Sequence, residues 1–164
     1  MTESLKQTEQ SVGSFIKALE KSEKKIAKYE GKLKEVRAEL EKLEVEVLEI
    51  SSKMREIERK IHKKLNKIKR TNKLLMEAQT DRQIETYDRD LRKLNKDLDK
   101  LDKEYNRLKE RYEQIVAKEE KLLEKEMKLE EEKARLYHER ELLMKHAEQL
   151  MNRLGNKINR VRLH

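Results

Sequence analysis

Read from Leu5 in steps of seven, the chain runs Leu5, Val12, Leu19, Ile26, Leu33, Leu40, Val47, Met54, Ile61, Ile68, Leu75, with no polar residue among them. Hydrophobic residues make up 35% of the sequence, so one chosen phase yields such a row by chance about once in 10⁵. The row three residues further on is Thr8, Phe15, Ser22, Tyr29, Val36, Leu43, Ile50, Ile57, Lys64, Thr71, Ala78, apolar through its middle and polar at both ends. Apolar residues repeating at spacings of three and four form a stripe along one side of a helix, the a and d positions of a heptad. The first row is therefore a and the second d. They predict a helix from about residue 4 to about residue 79.

A second seam follows in a different phase. Its a row is Ile84, Leu91, Leu98, Tyr105, Tyr112, and its d row runs Tyr87, Leu94, Leu101, Leu108, Ile115, Leu122, Leu129, Leu136, Leu143, Leu150. The step from Leu75 to Ile84 is two residues longer than a heptad, a shift that neither a stutter nor a stammer absorbs. Thr80-Asp81-Arg82-Gln83 lies at this break and fits the capping box that starts a helix. The expected architecture is all-α, a long antiparallel two-helix coiled-coil hairpin: helix ~4–79, turn ~79–83, helix ~84–154. Folded back about Asp81, Leu75 meets Tyr87, Ile68 meets Leu94, Ile61 meets Leu101 and Met54 meets Leu108, each an a residue against a d residue. Phe15 then falls opposite Ala147, large against small. A register one heptad away satisfies the same rule, and one continuous helix that dimerises is the alternative topology.

Composition removes most other classes. With 46% charged residues, one Phe, no Trp and no Pro, a layered core enclosing a pocket is not expected. The absence of Cys removes disulfides, thiolate nucleophiles and Cys-based metal sites. No apolar run is long enough to cross a membrane. Met1–Gln10 lack the basic and then apolar regions of a signal peptide, so a cytoplasmic location is expected. Residues 1–164 read as a single coiled-coil rod. Gly155 reads as a helix C-cap, with a frayed basic tail at 156–164.

The net charge of +8 is concentrated. Residues 53–75 hold ten bases and only Glu56 and Glu58 as acids, so the remainder of the chain is neutral on balance. Arg59, Lys60, Lys63, Lys67, Arg70 and Lys73 are the candidate contacts for an anionic partner. Asp90, Asp97, Asp99 and Asp102 fall across from part of this block in the hairpin. An acidic protein surface would be attracted to the stripe. Nucleic acid is the less favoured partner, since no aromatic or Gly residues interleave with the bases to stack on nucleotides. An anionic membrane surface fits less well still, because an interfacial helix needs bulky apolar residues on its free face.

Beyond Ile115 the a row turns polar, as Glu119, Glu126, Lys133 and Arg140, and apolar residues gather instead at d and e. Val116, Leu123, Tyr137, Met144 and Met151 are the e members, a stripe turned toward a face the first helix need not cover. They are the second set of candidate partner contacts, for a symmetry mate or another protein.

No catalytic constellation emerges. His62, His138, His146 and His164 lack metal-ligand spacing, the carboxylates of a thin helical pair stay hydrated, and Gly13 has no phosphate-loop context. Tyr29, Tyr87, Tyr105 and Tyr112 occupy seam rows as spacers. Neither an enzyme nor a cofactor nor a metal is expected. In length, basic charge and hairpin form the chain resembles the flagellar and type III secretion export stalk family, whose members insert their paired terminal ends into a hexameric ATPase. That family's apolar N-terminal start is missing from Met1–Gln10, and no residue role carries over. The function expected is that of a coiled-coil stalk, spacer or adaptor, with a basic turn-proximal half, paired termini and an apolar d/e stripe as contact surfaces. Sequence-independent nucleic-acid binding is the alternative.

Overall fold

The computed structural model describes residues 2–163. The seam positions Leu5, Thr8 and Val161 and the terminal His164 lie outside the residues whose side chains it describes. Two helices account for nearly the whole chain: α1, Thr2–Met76, and α2, Asp81–Leu163. They pack against each other as a helical hairpin, so the continuous-helix alternative does not hold.

The reversal is short and local. α1 stops at Met76, three residues before the expected boundary, and its last turn tightens as the Ala78 amide donates to the Leu75 carbonyl at 3.2 Å. Thr80 caps α2, its Oγ1 accepting from the Gln83 amide at 3.2 Å, while the Ile84 amide closes the first α-helical bond on the Thr80 carbonyl at 3.1 Å. The Gln83 side chain reaches back as a capping box requires. Its Oε1, however, takes the Gln79 amide at 3.1 Å rather than that of the cap residue itself. No described residue has a positive φ, so the turn needs neither glycine nor proline.

The C-terminal boundary differs from expectation. α2 continues through Gly155 to Leu163, and Gly155 makes no left-handed cap. The apolar rhythm explains why: in the sequence Leu154 and Val161 continue the a row on either side of the glycine. A Gly inside a helix costs only about 1 kcal/mol.

The hairpin divides into two compact units. The turn unit comprises residues 40–121, the terminal unit residues 1–39 with 122–164. In the turn unit, Ile50, Ile57 and Ile115 are buried, and the Lys64 ammonium reaches Asp97 at 3.2 Å. The Tyr105 hydroxyl donates to Glu58 at 3.0 Å, which fixes Ile57 beside Tyr105. In the terminal unit, Val12, Ile26, Leu33 and Val36 of α1 close on Leu129, Leu136 and Ala147 of α2. Tyr137 donates to Glu30 at 2.7 Å, and one heptad away Arg37 meets Glu130 at 2.6 Å. These are e positions on both helices, the pairing that an antiparallel a-to-d register produces. Phe15 sits beside buried Ala147 and stacks on the neighbouring His146 ring, centroids 5.9 Å apart. The register drawn from the pivot at Asp81 is therefore the one adopted.

Ser22 is a seam residue whose buried hydroxyl has no hydrogen-bond partner. Ser22→Ala removes a desolvated polar group and adds helix propensity, so stability should rise by about 1 kcal/mol. Leu33 is 1% exposed and Leu48 66% exposed. Leu33→Ala should cost about 2–5 kcal/mol, whereas Leu48→Ala should stay within about 0.5 kcal/mol. Urea unfolding followed by circular dichroism reads all three.

Candidate functional site

The basic block acquires a definite geometry in the turn unit. The heptad places Lys60 and Lys67 of α1 at g and Lys63 and Arg70 at c, one turn further from the seam. On α2 the corresponding rows are Asp90 and Asp97 at g and Lys93 and Lys100 at c. Seen across the pair, the face runs bases, bases, acids, bases. Two shallow grooves cross it and share Lys64, Lys67 and Asp97, so they form one continuous surface. One, about 340 Å³, gathers Lys60, Lys63, Lys64, Lys67 and Lys100 around the single carboxylate of Asp97. The other, about 370 Å³, sets Lys64, Lys67, Arg70 and Lys93 against Asp90 and Asp97.

Of the sequence-derived candidates, Lys60, Lys63, Lys67 and Arg70 line this face, whereas Arg59 and Lys73 occupy f positions, on the side of α1 away from the seam. Lys93 and Lys100 were the members that the α1 charge count alone could not supply. Their signal is the seven-residue step on α2, visible only once the register says which bases share a face. Lys64 and Asp97 form a partly exposed pair. Such a pair is worth at most about 1 kcal/mol.

The second candidate set lies mostly in the terminal unit and faces solvent. Leu123 is 50% exposed, Met144 49% and Met151 53%; Tyr137 is partly covered, and Val116, in the turn unit, is half-buried. The structure adds Met127, 63% exposed, and Ile158 to this apolar side of α2. The polar a residues Glu126, Lys133 and Arg140 are half-buried beneath it. Lys133 lies 5.7 Å from the centre of the Tyr137 ring and Arg140 lies 5.9 Å from it. Their apolar stems thus stay covered while the charged ends reach water. The Lys133 ammonium is also 3.7 Å from Glu30.

Among the described residues no cluster of His, Asp and Glu is arranged to hold a metal ion, and no helix is long and apolar enough to cross a membrane. His62 and His138 are exposed on the surface. No family model, curated protein or solved structure matches this chain.

Two phenols titrate above the ordinary value of 10.0. Tyr105 is held protonated chiefly by its hydrogen bond to Glu58, then by partial desolvation and by the Glu58 charge. Tyr137 is held in the same way by Glu30, with Arg140 pulling in the opposite direction. A raised acid pKa stabilises the fold while the group is protonated, so each contribution is complete below about pH 10 and is lost as pH rises through the raised value. Ultraviolet titration of the phenolates should show Glu58→Gln lowering the Tyr105 midpoint and Glu30→Gln lowering that of Tyr137. Midpoints that do not move would mean the two carboxylates do not set them.

Proposed function

We propose that this chain is a non-enzymatic helical interaction protein, an adaptor or spacer, that docks a carboxylate-rich protein surface on the basic face of its turn unit. The observation supporting this is the groove in which five lysines surround one aspartate. Five ammonium groups within one groove repel one another, and a partner bringing carboxylates relieves that repulsion as it binds.

A protein fits this face better than a nucleic acid does. A phosphate backbone presents only negative oxygens, so it meets Asp90 and Asp97 unfavourably wherever it follows the groove. An acidic protein surface can set carboxylates on the lysine rows and a donor over the aspartates. The residues lining the groove include no aromatic side chain, so bases find no platform to stack on. The apolar row on α2 then serves as a second contact, used by a helix rather than by a charged surface.

The test is anisotropy binding of a labelled oligoglutamate peptide and of a labelled DNA duplex, each across a salt series. The peptide should bind the more tightly at equal charge. Reversing Lys60, Lys63 and Lys67 to Glu should weaken it by about 100-fold or more, whereas reversing Arg59 and Lys73 should change it by about threefold at most. Tighter DNA binding with a steep loss of affinity in salt would establish the nucleic-acid alternative instead, and equal effects of the two reversals would remove the groove from the account.

A further inference from the structure

The outer row of α2 is a second heptad seam. From Met127 to Met144 its b and e positions read Met127, Glu130, Ala134, Tyr137, Glu141, Met144, alternating steps of three and four. That is the spacing of knobs that enter holes on another helix. Its e members Glu130 and Tyr137 border α1 through Arg37 and Glu30, and its b members lie off the side that α1 covers. Met127 is 63% exposed and Met144 49% exposed. Both are too bare for a seam that ends at the hairpin's own surface.

Charge along the flanks identifies the occupant. The residues bordering this seam are acidic in its N-terminal part (Glu124, Glu126, Glu131) and basic in its C-terminal part (Lys133, Arg140, Lys145). A second helix with the same sequence, laid parallel, sets acid against acid and base against base. Laid antiparallel, it sets acid against base on either side of the midpoint. We propose that the occupant is a second copy of this chain, packed antiparallel on α2 about a two-fold axis near Glu132. Such a contact is self-complementary and closed, so it ends at a dimer.

The register follows from the same rows. About that axis Glu126 lies between the second copy's Lys133 and Arg140, Glu124 faces its Lys145 and Glu131 its His138, and the symmetry repeats each pair. Met127 faces Tyr137 of the second copy, a thioether against a ring, which is a favourable contact in its own right. Glu130 falls opposite the small Ala134, its charge already met by Arg37 at 2.6 Å. Next to the axis Lys133 approaches its own copy, and Glu30, 3.7 Å away, offsets that charge within each chain. Glu131 approaches its copy on the other flank, where it is exposed and able to turn toward His138. This deepens the reading of the outer row as a contact for a helix and is independent of the basic face: it is read from molecular mass, with no acidic ligand present.

The measurement is sedimentation equilibrium or light scattering of the full chain over a concentration series. Wild-type protein should approach twice the 19.9 kDa chain mass. Met127→Lys, opposite the second copy's Tyr137, should weaken the dimer by about 10-fold or more, with helix content unchanged because the site is exposed. Leu48→Lys, at an exposed site in the turn unit, should leave the mass unchanged. Glu124→Lys and Lys145→Glu should each weaken association, and the two together should restore it. The chain has no cysteine of its own. Met127→Cys with Tyr137→Cys should therefore form a covalent dimer on oxidation where either single change does not. A chain that remains monomeric, a dimer indifferent to Met127→Lys, or charge reversals that fail to rescue each other would overturn the proposal.

Discussion

The antiparallel pairing of a residues with d residues governs everything else in this molecule. Apolar material is scarce, and a two-helix pair has no third wall to hide a misplaced residue. Each layer must therefore find its partner at one register. Where α1 supplies both rows and α2 supplies its d row, side chains become buried, as at Leu33, Val36 and Leu136. Toward the turn the d row of α1 gives way to Lys64 and Thr71, and the seam residues there are only half-buried. The depth of the core thus follows the two rows layer by layer.

The same pairing explains why an apolar row faces outward. In the terminal unit the a row of α2 carries Glu126, Lys133 and Arg140, opposite Val36, Tyr29 and Ser22 of α1. Long charged side chains in those layers lie along the seam with their ends toward water. Tyr137 takes two of them across its ring. The apolar residues that an ordinary heptad would have placed at a stand instead at e, at the edge of the contact with α1, where Tyr137 still reaches Glu30. The polar a row and the exposed e row are two sides of one shift, and Ser22, small and unpartnered, occupies a layer where the opposing side chain is an arginine stem.

How much of this could be read in advance depends on the range of the signal. The a row is repeated eleven times, and repetition on that scale leaves no other secondary structure open. The cap at Thr80 was equally legible, because an N-cap depends on side chains within three residues of it. The end of α1 was not: Leu75 and Ala78 continue the heptad, but the hydrogen-bond demands of the cap draw the chain out of the helix after Met76. Gly155 misled for the opposite reason, as a weak local signal overruled by the apolar rhythm around it. On the basic face, the bases of α1 were visible as a charge run, whereas Lys93 and Lys100 join them only through register. Arg59 and Lys73 belong to the same run and leave the groove because charge density along a chain says nothing of helical angle.

The two surfaces answer to different forces, and that difference bears on why one chain would carry both. In the proposed docking the basic face would act through excess positive charge, with a reach of about a Debye length, roughly 8–10 Å, that shrinks as salt is added. In the proposed dimer the outer row would act through apolar contact at van der Waals distance, with flanking charges that select orientation more than they add affinity. Added salt therefore weakens the first and leaves most of the second in place. Each surface also lies within its own compact unit, the basic face over the half-buried seam residues Ile61 and Leu101 and the outer row over buried Leu129 and Leu136. A change on either face need not pass through the core that supports the other. The two proposed contacts, electrostatic docking and helix-on-helix association, would thus be tuned separately by single substitutions at exposed positions, while the a-to-d register that holds both faces stays untouched.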